Sequence, residues 1–199
     1  RNIETFEDAK NYFRPNLEQI HDPFLMKDMD VAVSRIETAI ANNENILIYG
    51  DYDVDGTTAV SLVSSYLKTI YSNIATYIPD RYAEGYGVSY KGIDFAHDND
   101  FSLIIALDCG IKAIEKVAYA TKKNIDFIIC DHHKPGPEIP KAIAVLNAKR
   151  NDCTYPFDEL CGCGVGFKLI QALGVSRHKT IEDFLPYLDL VATAGKSIA

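Results

Sequence analysis

Three short stretches of the 199-residue sequence, each after an apolar run, carry side chains suited to a divalent cation: Asp51, Asp53 and Asp55; Asp108; and Asp131, His132 and His133. Carboxylates at i, i+2 and i+4, flanked by Gly50 and Gly56 that allow a tight turn, suit a hard cation. An EF-hand loop opens with the same Asp-x-Asp-x-Asp-Gly run but needs a bidentate Glu at its twelfth position, and the twelfth residue from Asp51 is Leu62. Asp108 alone could cap a helix; its place between two stronger clusters makes it a candidate ligand. In an extended segment His132 and His133 point to opposite sides, so one is expected to bind a given ion and the other to contact phosphate or a second ion. Asp131 would then orient an imidazole. Mixed carboxylate and imidazole donors favour Mn²⁺ or Mg²⁺ over structural zinc. Asp-rich two-metal sites favour phosphoryl chemistry, ions about 3.5–4 Å apart activating water and stabilising the leaving oxygen.

Each cluster follows a short Ile- and Leu-rich run of strand type, at residues 46–49, 103–107 and 125–129. Further strands are predicted at 74–78 and 142–146, with helices at 8–13, 28–42, 57–70, 89–97, 111–123 and 167–173 and a last one starting near Thr180. Strands alternating with helices imply an α/β fold, a largely parallel sheet flanked by helices on both faces. In such sheets ligands bind beyond the carboxyl ends of the strands, so clusters far apart in sequence can converge in one crevice.

The hydrophobic share of 47% supports one main core. No apolar stretch approaches the roughly 20 residues that span a bilayer, and the first residues have no signal-peptide pattern, so a soluble, cytoplasmic protein with no membrane partner is expected. The five cysteines are odd in number and read as reduced thiols. Cys153, Cys161 and Cys163 lack paired Cys-x-x-Cys spacing and read as small buried residues instead of a zinc nest. A net charge of −8 argues against broad electrostatic binding to nucleic acid, yet bound divalent cations would reverse the local potential where a phosphate must sit. With no initiator Met and an apolar, uncapped stretch at 188–199, a fragment of a longer protein is expected.

The sequence resembles the DHH phosphoesterase superfamily, whose motif is matched by Asp131-His132-His133, and within it the RecJ group of single-strand-specific exonucleases. The matching stretches run in family order: the Gly50–Gly56 cluster with its neighbours, Ile78-Pro79-Asp80-Arg81 with Glu84-Gly85-Tyr86-Gly87-Val88, Asp108-Cys109-Gly110-Ile111, the motif extended by Lys134-Pro135-Gly136, and Leu160 to Leu169. The resemblance implies a Mn²⁺- or Mg²⁺-dependent 5′→3′ exonuclease, holding two ions, that acts on single-stranded DNA and releases 5′-mononucleotides in recombination and repair. Carried over by motif, Asp53, Asp55, Asp108 and His132 are the expected metal ligands. His133 would act on the scissile phosphate, Asp131 and Asp51 would assist, and Arg81 would contact substrate phosphate. The implied division is an N-terminal helical segment at 1–45 and a catalytic domain at 46–199, without the C-terminal part of the family architecture. The family's last metal-binding Asp has no counterpart, because 193–199 contains no carboxylate and Asp189 aligns better with a structural position. Weak metal binding and little activity are therefore expected of the fragment alone. The alternatives are a family phosphoesterase acting on short oligonucleotides, cyclic dinucleotides or pyrophosphate, and a non-catalytic scaffold retaining the fold.

Overall fold

The computed structural model describes residues 3–14 and 16–194. Its centre is a sheet of five strands, β1 (Asn45–Gly50), β2 (Ile74–Tyr77), β3 (Phe101–Leu107), β4 (Asp126–Cys130) and β5 (Ala144–Leu146), in the order β2-β1-β3-β4-β5. Every pairing is parallel, as the alternation of strands and helices predicts.

Successive strand residues face opposite sides, and both sides are apolar, which explains the near-continuous Ile and Leu runs. Ile46, Ile48, Leu103, Ile105, Leu107, Ile128 and Cys130 enter one core with α2 (Met29–Ala41), α3 (Val54–Lys68) and α6 (Gly162–Val175). Leu47, Tyr49, Ile104, Ala106, Phe127 and Ile129 enter a second core with α4 (Tyr90–Asp98) and α5 (Ile114–Lys122). Helix α1 (Phe6–Phe13) precedes these elements. A 3-10 segment (Ile181–Tyr187) and α7 (Leu188–Thr193) complete the first core through Phe184 and Val191.

The chain steps outward from β1 to β2 and returns to the other side of β1 as β3. The strand order therefore reverses between β1 and β3, and a crevice opens beyond their carboxyl ends. Asp51 and Asp108 stand directly there.

Helices α1, α3 and α6 begin earlier than periodicity suggests, α1 at Phe6. Helix α3 starts at Val54, so Asp53 is its N-cap, accepting from Gly56 N at 2.9 Å, and Asp55 lies in its first turn. Gly56 thus serves no tight turn. A Cβ there would lie 2.5 Å from Asp51 O, so glycine is required by the close passage of the Asp51 backbone. Helix α6 starts at Gly162, not near Phe167. The last predicted helix is instead the 3-10 segment followed by α7.

Helix α6 is buried along nearly its whole length, Lys168 included. Lys168 Nζ donates to His21 O at 2.9 Å and Gln171 Oε1 at 3.2 Å. Burial pulls its pKa down to about 8. The five cysteines are free thiols. Among the described residues, no helix is long and apolar enough to cross a membrane.

Candidate metal centre

The strand ends bring the three sequence clusters together. After β1, Asp51 is fully buried, and its Oδ1 accepts from Tyr52 N at 2.9 Å. At the end of β3, Asp108 N still donates to Cys130 O at 2.8 Å, extending the ladder by one residue. The backbone then turns left-handed, with φ 60° at Asp108, which sends its carboxylate into the crevice. Such a conformation is tolerated best by Asp and Asn among non-glycine residues, and departures of this kind gather at functional sites.

Two donor groups result among the described residues: Asp51, Asp53 and Asp108, and Asp108, His132 and His133, the donor atoms within each lying within 4.8 Å of one another. Asp108 belongs to both. His132 Nε2 lies 3.2 Å from Asp108 Oδ1 and 3.6 Å from Asp55 Oδ2. Asp51 Oδ2, Asp108 Oδ1 and His132 Nδ1 are buried without a hydrogen-bond partner. An unpaired buried carboxylate oxygen is costly, and a divalent cation is the group that would satisfy two of them at once. The donor set fits Mn²⁺ or Mg²⁺, which take oxygen and imidazole ligands.

The electrostatics agree. Burial, and then the charge of Asp55, raise the Asp108 pKa to about 6 despite the adjacent His132. Asp51 is likewise raised, by burial and by Asp53. For both carboxyls, burial and neighbouring carboxylates outweigh the nearby histidines.

Asp55 occupies a position the sequence did not suggest. Its two oxygens accept from the backbone N–H groups of Gly162 and Cys163 at 2.8 and 2.7 Å, at the start of α6. Each oxygen retains a lone pair for a cation, so the carboxylate can cap a helix and remain a donor. The glycine run that opens α6 also has its reason here, because a Cβ on Gly162 would lie 2.3 Å from Asp108 Oδ1.

The two motif histidines diverge less than strict extended geometry implies. Their ring centroids are 4.5 Å apart, and both join Asp108 in one donor group. Asp131 orients His133: its Oδ1 lies 2.7 Å from His133 Nδ1 and accepts from His133 N at 3.0 Å, while Oδ2 accepts from Ile111 N at 2.9 Å. Burial alone would raise the Asp131 pKa, but these hydrogen bonds outweigh it and the net shift is downward. His133 is correspondingly raised, chiefly by its bond to Asp131.

Arg81 stands apart from the donor groups, on an exposed turn after β2, its guanidinium 5.3 Å from the centroid of the Tyr52 ring. Asp189 is exposed in the first turn of α7, where it bonds Leu190 N at 2.8 Å. Sequence reasoning missed Tyr86, whose hydroxyl lies 3.1 Å from His133 Nε2.

The family model described as DHH family, N-terminal domain, matches residues 45–194. The single-stranded-DNA-specific exonuclease RecJ of Bacillus subtilis (strain 168) is 41% identical over 207 residues, covering 98% of this chain and 26% of that protein. The RecJ exonuclease of Escherichia coli (strain K12) is 33% identical over 177 residues, covering 84% and 31%. A crystal structure of exonuclease RecJ bound to manganese superposes with a TM-score of 0.75 at 29% identity, covering 85% of this chain and 42% of that one. The chain thus spans 26% and 31% of the lengths of these two curated relatives. With the match running from the first residue of β1 through α7 and across all three donor clusters, the chain belongs to the DHH family, whose N-terminal domain it carries.

Proposed function

We propose that this chain is the metal-binding catalytic part of an exonuclease that degrades single-stranded DNA 5′→3′, releasing 5′-mononucleotides in recombination and repair. The observation that carries this reading is the pair of donor groups sharing Asp108, with unpaired buried oxygens on Asp51 and Asp108. The similarity to RecJ exonucleases from two bacteria supports the substrate class.

On this reading Asp53, Asp55, Asp108 and His132 would hold the ions, with Asp51 beside Asp53 and Asp108 in one donor group, and His133 would act on the scissile phosphate. Mn²⁺ or Mg²⁺ so held supplies Lewis acidity toward the phosphate and a water of lowered pKa. The protein's own part is positional. The sheet ends and the α3 and α6 termini fix the carboxylates before substrate arrives, which avoids reorganisation during reaction. Asp131 holds the His133 ring by Nδ1 so that Nε2 is directed at the scissile phosphate. Arg81, exposed on the loop after β2, contacts a backbone phosphate.

The test supplies Mn²⁺ to the full-length protein and compares 5′-labelled single strands, duplex, dinucleotide and pyrophosphate. Release of 5′-mononucleotides from single strands is expected. Preference for dinucleotide or pyrophosphate would favour a small-molecule phosphoesterase and overturn the reading.

A further inference from the structure

The loop from β2 to α4 is tied down on both sides of one short arc. Before it, Glu84 accepts from Asp80 N at 2.9 Å through one oxygen and from the Tyr77 hydroxyl at 2.9 Å through the other. Beyond it, the buried Tyr49 hydroxyl donates to Gly87 O at 2.9 Å and accepts from Ser89 N at 3.1 Å. Two strand tyrosines thus anchor the loop. Between the anchors, Gly85 and Gly87 have φ of 82° and 75°, and a Cβ on Gly85 would meet nothing within 4 Å. Glycine is needed here for left-handed backbone, not for space.

The arc presents Tyr86, which is 56% exposed. Its ring meets Tyr52 and His133 edge-on, with centroids 6.2 and 6.1 Å away. A tyrosine so poorly buried adds little to the core, yet both anchors serve to place it. What it reaches is His133 Nε2, at 3.1 Å.

The opposite ring nitrogen fixes the tautomer. Asp131 is a carboxylate that takes three hydrogen bonds and can only accept, so His133 Nδ1 carries the proton. In the neutral ring Nε2 is then the acceptor and the Tyr86 hydroxyl donates to it; in the imidazolium Nε2 donates to the hydroxyl oxygen, and the contact is kept in either state.

We propose that Tyr86 is a positioning residue for His133. Asp131 and Tyr86 grip the imidazole by its two nitrogens, holding Nε2 toward the crevice it shares with Asp108 and His132. The catalytic meaning of this grip rests on the proposed phosphodiesterase reading; the grip itself does not.

The experiment uses the full-length protein with ¹⁵N-labelled histidine, as wild type, Tyr86→Phe and Gly85→Ala. In metal-free Tyr86→Phe, at a pH high enough for the His133 ring to be neutral, the unprotonated Nε2 resonance is expected to move downfield, toward that of an imidazole nitrogen accepting no hydrogen bond. Gly85→Ala, which strains the arc without a clash, should move it the same way. With Mn²⁺ and single-stranded DNA, Tyr86→Phe should lower kcat about tenfold with KM within about twofold, the low end for groups that orient a metal-site imidazole. An unmoved Nε2 resonance, or a loss residing wholly in KM, would overturn the proposal. If no variant, wild type included, degraded single strands, the functional reading would fail while the nitrogen shift still decided the Tyr86 contact.

Discussion

Gly162, the first residue of α6, lies so close to Asp108 that a Cβ added to it would stand 2.3 Å from Asp108 Oδ1. The start of a helix is thereby fitted against the one carboxylate common to both donor groups. Gly162→Ala should ordinarily favour a helix by up to about 1 kcal/mol. Here it should destabilise by about 1–3 kcal/mol, as overpacking does. Urea unfolding reads the sign, and Mn²⁺ titration should show weakened binding in the same variant.

Asp108 itself sets a pH dependence. Its folded pKa of about 6 exceeds the ordinary value of 3.8, so between those values the metal-free native state holds more protons than the unfolded chain. Stability of the metal-free protein should therefore fall as pH rises through about 4 to 6. Asp108→Asn should flatten that slope and raise the thermal midpoint at pH 7 while abolishing most Mn²⁺ binding. A midpoint lowered at pH 7 would contradict the argument.

Lys168 gives a slope of the opposite sign. Its folded pKa, about 8 against 10.5, means that the unfolded chain binds the extra proton between those values. Stability should rise with pH in that window, by at most about 1 kcal/mol per pH unit. Lys168→Met removes the titrating group, so its stability relative to wild type should decline from pH 8 to 10 in parallel urea titrations.

Arg81 is exposed, with its guanidinium over the Tyr52 ring, so Arg81→Ala should leave the melting temperature within about 1 °C, as for surface substitutions of small energetic effect. Binding of single strands by the full-length protein should weaken similarly for all sequences, with a shallower salt dependence, about 0.7 less in log–log slope for one lost phosphate contact. A sequence-selective loss would assign Arg81 to base contact instead.

The strands and their acidic ends were readable because both signals are local: a run of Ile and Leu, then an Asp. The convergence of Asp51, Asp108 and the motif histidines followed from the rule for parallel sheets. The starts of α3 and α6 were not readable, since Asp55-Gly56 and the glycines at 162, 164 and 166 read locally as turn or helix-breaking residues. Their reason is tertiary: Gly56 accommodates the Asp51 backbone, and Gly162 accommodates Asp108. A glycine-rich helix start following an apolar residue is the signal that could have suggested such an approach. The Tyr86 contact joins residues 47 apart, and nothing in periodicity reports it.

Asp55 has a consequence for how variants here are interpreted. Because its oxygens accept both leading N–H groups of α6 while facing His132, replacing it removes a charge from the crevice and a cap from a core helix together. Loss of function in Asp55→Ala would confound two causes. Asp55→Asn, which keeps one accepting oxygen, paired with Asp53→Asn outside that helix junction, would separate ligation from architecture.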